Sequence, residues 1–113
     1  MAKLDALKGV LEQVKQDSAK AFGDKLSRII LYGSCARGDN TPESDVDIMI
    51  ILDCDFEEIR RFREQAAEIS SEIGLKEDVV VSISLRDKRH FDENADFLPF
   101  YKNIIKEGVS VYG

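Results

Sequence analysis

Apolar residues recur at Leu4, Leu7, Leu11, Val14 and Ala21, the three-and-four spacing of an amphipathic helix. The spacing predicts a helix over Leu4 to Phe22, ended by Gly23 and Asp24. The pattern then shortens. Leu26 to Tyr32 (LSRIILY) reads as a strand, Gly33-Ser34 breaks it, and Cys35 to Asn40 reads as a tight turn or short helix. Asn40-Thr41-Pro42-Glu43 is a loop, because a proline pushes its predecessor out of the helical region. A second strand follows at Val46 to Leu52, whose apolar run Ile48-Met49-Ile50-Ile51 has the look of a central strand.

Asp53 and Asp55 are candidate helix caps. Behind them Phe56, Ile59, Phe62, Ala66, Ile69 and Ile73 form the apolar stripe of a second long helix that Gly74 closes. Val79 to Ile83 is a β-branched third strand. Arg86 to Asp96 is polar and poorly periodic, a short helix and loop. Pro99 suits the first turn of a last helix reaching about Lys106, Gly108 ends it, and Val109 to Tyr112 adds a short edge strand. The order predicts one α/β (α+β) domain over residues 1–113, a small mixed sheet of about four strands flanked by helices.

Composition narrows the partners. No apolar run approaches the roughly 20 residues of a membrane span, and the charged N-terminus is not that of a signal peptide. Cys35 and Cys54 match no metal-ligand spacing, so reduced thiols in a cytoplasm are expected. The 16 Lys and Arg are spread out and outnumbered by 22 Asp and Glu, for a formal net charge of -6. That balance disfavours a long nucleic acid, which is gripped by a basic face. It suits a small phosphate ligand that arrives with its own cations.

The chemistry concentrates between Leu31 and Leu52. Asp45 and Asp47 stand two apart at the head of an apolar strand, so alternation puts both carboxylates on one face, Cα atoms roughly 6.5 Å apart. Two like charges side by side are costly unless a cation lies between them. One or two magnesium ions, which take carboxylate and phosphate oxygens together, are the natural candidates. Gly33-Ser34 supplies the complementary half: glycine lets the backbone turn sharply, and free N–H groups at the start of a helical turn attract anions. The Ser34 hydroxyl and the planar Arg37 cation are candidate phosphate contacts. Arg37 is equally suited to a salt bridge with Asp39 or Glu43.

Gly33-Ser34, ten residues, then Asp45-Val46-Asp47, with Ala36-Arg37-Gly38 inside and a strand on each side, resembles the signature of the DNA polymerase β-like nucleotidyltransferase superfamily. More narrowly it resembles the minimal nucleotidyltransferases, small prokaryotic proteins often encoded beside a HEPN-domain ribonuclease toxin. The resemblance implies a nucleotidyltransferase fold, ATP as nucleotide, magnesium held by Asp45 and Asp47, and a third carboxylate on the next core strand. By position that third acid is Asp78, ahead of Val79 to Val81, where alternation sets it on one strand face with Val80 and Ser82; the alternatives are an aspartate that merely begins the strand, and Glu77 on the opposite face. It also implies a tyrosine acceptor on a HEPN-type partner, which would make the chain an antitoxin. The alternatives are a small-molecule acceptor, as in antibiotic-modifying relatives, and a module that neutralises a toxin by binding alone. No additional helical domain for the acceptor is expected, so a partner or a homodimer is expected to supply that side.

Among other residues, Ser44 is read as a turn cap, His90 as solvent-exposed, and Tyr32, Tyr101 and Tyr112 as structural. Phe97, Leu98 and Phe100 are an apolar cluster belonging either to the core or to a partner surface.

Overall fold

The computed structural model describes residues 3–41 and 44–113, with side chains described from residue 7 onward. Pro42 and Glu43, and the side chain of Leu4, lie outside the described residues. Helix α1 (Lys3–Phe22) leads through a 3-10 turn into β1 (Leu26–Tyr32), the short helix α2 (Ser34–Arg37) and β2 (Val46–Leu52). There follow α3 (Phe56–Glu77), β3 (Val81–Asp87), α4 (Lys88–Asn94), α5 (Pro99–Glu107) and β4 (Val109–Tyr112). The sheet order is β3-β2-β1-β4. β1 runs antiparallel to β2 and β4, while β2 and β3 are parallel, joined by α3 as a parallel pair requires. The small mixed sheet flanked by helices is the expected fold class, and β2 is central as its apolar run implied.

Alternation along the strands builds two cores. Ile29, Leu31, Val46, Ile48, Ile50, Val81 and Leu85 pack on one face against α1 and α3. Ile30, Met49 and Ile51 pack on the other, with Phe91, Tyr101 and Ile104 of α4 and α5. Every residue of β2 except Asp47 is buried. Asp47 shares the parity of Met49 and Ile51 and so belongs to the α5 side of the sheet. Among the described residues no helix is long and apolar enough to cross a membrane.

Three boundaries differ from the sequence reading. α3 does not close at Gly74. It continues to Glu77, and Asp78 takes the left-handed cap conformation at φ 55 and ψ 48, its N–H bonded to the Gly74 carbonyl. The turn uses residues 78–80, so β3 begins at Val81, not Val79, and runs on to Asp87. Asp87 then caps α4 by accepting from the His90 N–H at 2.8 Å. Asp55 caps α3, accepting from Glu58 N–H at 2.9 Å, whereas Asp53 is exposed and its N–H bonds the Lys25 carbonyl.

Candidate active site

The candidate site forms where β1 ends and β2 begins, because their antiparallel register sets Tyr32 opposite Asp47. Gly33 follows at φ 76 and ψ -157, a conformation open essentially to glycine alone. A Cβ at this position would stand 2.5 Å from Asp47 Oδ2, so the missing side chain is what lets the carboxylate sit against the turn. The Gly33 carbonyl then accepts from the N–H groups of Ala36 and Arg37, starting α2. Gly38, left-handed at φ 82, stops it after one turn. The turn bearing Ser34 and the strand bearing Asp47 are therefore in direct contact.

Asp45 immediately precedes β2, and its carbonyl accepts from the Cys35 thiol at 3.5 Å, which ties α2 to the acidic pair. The preceding loop is closed by Ser44. Its hydroxyl accepts from the Thr41 N–H at 2.8 Å while its own N–H bonds the Thr41 carbonyl, the capping role read from sequence. The Asp47 carboxyl is raised above its ordinary range, first by burial and then by the charge of Asp45. Among the described residues no Lys or Arg pairs with either aspartate. Two adjacent carboxylates, one partly desolvated and neither neutralised by the protein, fit a hard divalent cation.

Arg37, the last residue of α2, is held by two carboxylates: Nε lies 3.3 Å from Asp39 and Nη1 3.5 Å from Glu107 at the end of α5. Both carboxylates raise its pKa, Asp39 more than Glu107. The pairing with Asp39 matches the structural reading of the sequence, Glu43 lies outside the described residues, and Glu107 was not foreseen. Nothing in local sequence could mark a partner seventy residues away.

Asp78 is not brought into the pair. It sits at the C-cap of α3, ahead of β3, and among the described residues no three His, Cys, Asp or Glu side chains assemble as a metal site. The expected sharing of a strand face with Val80 and Ser82 fails because residues 78–80 form the turn. On β3 the residue in register with Asp47 is Ser82.

The aromatic residues sort by position. Tyr101 is buried, its hydroxyl accepting from Arg86 Nε at 3.0 Å and lying 3.1 Å from His90 Nδ1. His90 is exposed as expected but uses its ring to hold Tyr101. Phe97, Leu98 and Phe100 are surface residues, 76%, 40% and 45% exposed, and Phe100 packs edge-on against Tyr32 next to the site.

Comparison with known proteins identifies the family and the fold. Residues 7–111 match the nucleotidyltransferase domain family model. A Methanocaldococcus jannaschii protein, inferred to be a protein adenylyltransferase, is 32% identical over 105 residues, 93% of this chain and 96% of that protein. The crystal structure of a toxin-antitoxin pair with AMP-PNP superposes with a TM-score of 0.60 at 19% identity, covering 91% of this chain and 73% of that one. A structure of the tri-AMPylated Shewanella oneidensis HEPN toxin in complex with MNT antitoxin gives a TM-score of 0.51 at 18% identity, covering all of this chain and 73% of that one. At such identities the two structures speak for the fold.

Proposed function

The chain belongs to the nucleotidyltransferase domain family, and from that premise we propose that it transfers AMP from ATP to a tyrosine hydroxyl of a HEPN-type partner protein. Asp45 and Asp47 hold the magnesium ion that accompanies the triphosphate. When bound, magnesium neutralises phosphate charge and makes the α-phosphorus easier to attack. The Gly33-Ser34 turn receives the terminal phosphates through backbone N–H groups and the Ser34 hydroxyl, and Arg37 contributes a planar cation to them. The remaining work is positioning: the acceptor hydroxyl is brought in line with the scissile bond, its oxygen bonds the α-phosphorus as the bond to the β-phosphate breaks, pyrophosphate leaves with the electron pair and the hydroxyl proton passes to solvent. Asp78 has no part in this reading.

The observation that carries the reading is the Asp47 carboxylate lodged against Gly33. It joins a phosphate-turn and a cation pair in one contact, which a module that only binds a protein has no need to build. The relatives support the acceptor class: one is inferred to adenylylate protein, and one structure pairs an AMPylated HEPN toxin with an antitoxin of this fold. The experiment is incubation with ATP, magnesium and a purified HEPN-type partner, followed by intact mass and peptide mapping. Adenylate on a partner tyrosine, absent with the Asp45→Asn/Asp47→Asn variant, is the expected result. A partner left unmodified yet neutralised equally by both forms would refute transfer in favour of binding alone.

A further inference from the structure

One row of the sheet passes through the site: Tyr32 on β1, Asp47 on β2 and Ser82 on β3. Residues in register share a face. That face is fixed independently by the Tyr32 and Ser84 hydroxyls, 3.5 Å apart, since Ser82 and Ser84 are two apart on one strand. Asp47 is thus flanked on both neighbouring strands by neutral hydroxyl-bearing residues. Asp78 is three positions upstream of Val81 in a helix cap, and no third acid joins the pair among the described residues.

Charge and coordination then limit the ions. A two-metal site sets divalent cations about 3.5–4 Å apart, and their mutual repulsion must be offset by acids touching both. Asp45 and Asp47 with phosphate oxygens can complete one octahedral magnesium whose other positions are water. A second ion beside Asp47 would need a charged ligand from β3, where the chain has Ser82. From this juxtaposition we infer that the protein binds its nucleotide with a single divalent cation and that β3 gives the site no ligand. The inference rests on the nucleotidyltransferase reading and refines it: the acceptor side, not this chain, must bring any further acid.

Manganese and AMP-PNP are the probes, with bound Mn²⁺ counted by electron paramagnetic resonance and bound nucleotide by calorimetry on the same samples. Wild type should hold one Mn²⁺ per bound nucleotide. Ser82→Asp should raise this to two, and Ser82→Ala, the variant least disturbing to the fold, should leave it at one. Two ions per nucleotide in the wild type would overturn the inference while leaving the family reading intact. So would a folded Ser82→Asp protein that still holds one, or loss of the ion in Ser82→Ala. Absence of any manganese-dependent nucleotide binding in the wild type would remove the nucleotidyltransferase reading and this inference together.

Discussion

Replacing Gly33 with alanine isolates the contact on which the site depends. The added methyl faces two separate costs. The first is conformational: φ 76 with ψ -157 lies in a region L residues rarely adopt, worth about 1–3 kcal/mol. The second is steric. The methyl would stand 2.5 Å from Asp47 Oδ2, 3.4 Å from Cγ and 3.6 Å from Cβ, so the carboxylate must swing away while the Cβ can stay. Contacting residues couple by about 0.5–3 kcal/mol, and a partly exposed carboxylate free to rotate belongs near the lower end, about 1 kcal/mol. A double-mutant cycle separates the two. Gly33→Ala in wild type should cost about 2–4 kcal/mol, and in an Asp47→Ala background about 1 kcal/mol less. Urea denaturation reads the cycle, with thermal midpoints falling by about 4 °C for each kcal/mol. Titration of magnesium and AMP-PNP into folded Gly33→Ala should show binding lost, because the displaced carboxylate no longer meets the cation. Equal costs in both backgrounds, together with wild-type nucleotide affinity, would refute the reasoning.

Other perturbations follow from the same geometry. Asp47→Asn removes a partly desolvated charge beside Asp45. Coulomb repulsion across roughly 6.5 Å, screened by partial exposure, makes the metal-free variant more stable than wild type at neutral pH by about 1 kcal/mol. The sign in pH follows from the raised Asp47 pKa: metal-free wild type loses stability as pH rises from the ordinary Asp range through the raised value, and Asp47→Asn lacks that loss. Urea melts at several pH values check both statements. Magnesium-dependent nucleotide binding should correspondingly fade on acidification at a higher pH than an unshifted aspartate would give. Glu107→Gln releases one of the two carboxylates holding Arg37, so AMP-PNP should bind more tightly, by at most about fivefold for an exposed pair. Weaker binding would mean that Glu107 orients Arg37 instead of competing for it. Asp55→Ala removes the cap of α3 and should cost about 1 kcal/mol with nucleotide affinity unchanged, read by melting and calorimetry.

Much of the fold was legible because its signals are local. The stripe from Ile59 to Ile73, the apolar run of β2 and Pro99 at the start of α5 each state their element within a few residues, and each element is present. Asp45, Asp47 and the Gly33-Ser34 turn were legible as a constellation, since a single short loop separates them in the chain. What was not legible depended on a choice between residues. Gly74 looks like the left-handed residue that ends α3, yet Asp78 takes that conformation and Gly74 supplies the carbonyl that receives the cap. That four-residue difference moves the start of β3 and lifts Asp78 out of the strand. The register that sets Ser82 beside Asp47 is a tertiary fact, as is the Arg37–Glu107 pair. Phe100 could not be assigned from composition because its neighbour Tyr101 faces the core from the same helix while Phe100 faces outward, and Phe97 lies exposed in the turn before that helix.

The central claim is that Asp45 and Asp47 bind a nucleoside triphosphate through magnesium. Isothermal titration of ATP, with and without magnesium, into wild type and into Asp45→Asn/Asp47→Asn tests it most directly. Binding that requires magnesium and vanishes in the double variant is the expected result. A folded wild type that binds ATP equally well without magnesium, or a double variant that binds as wild type does, would contradict it.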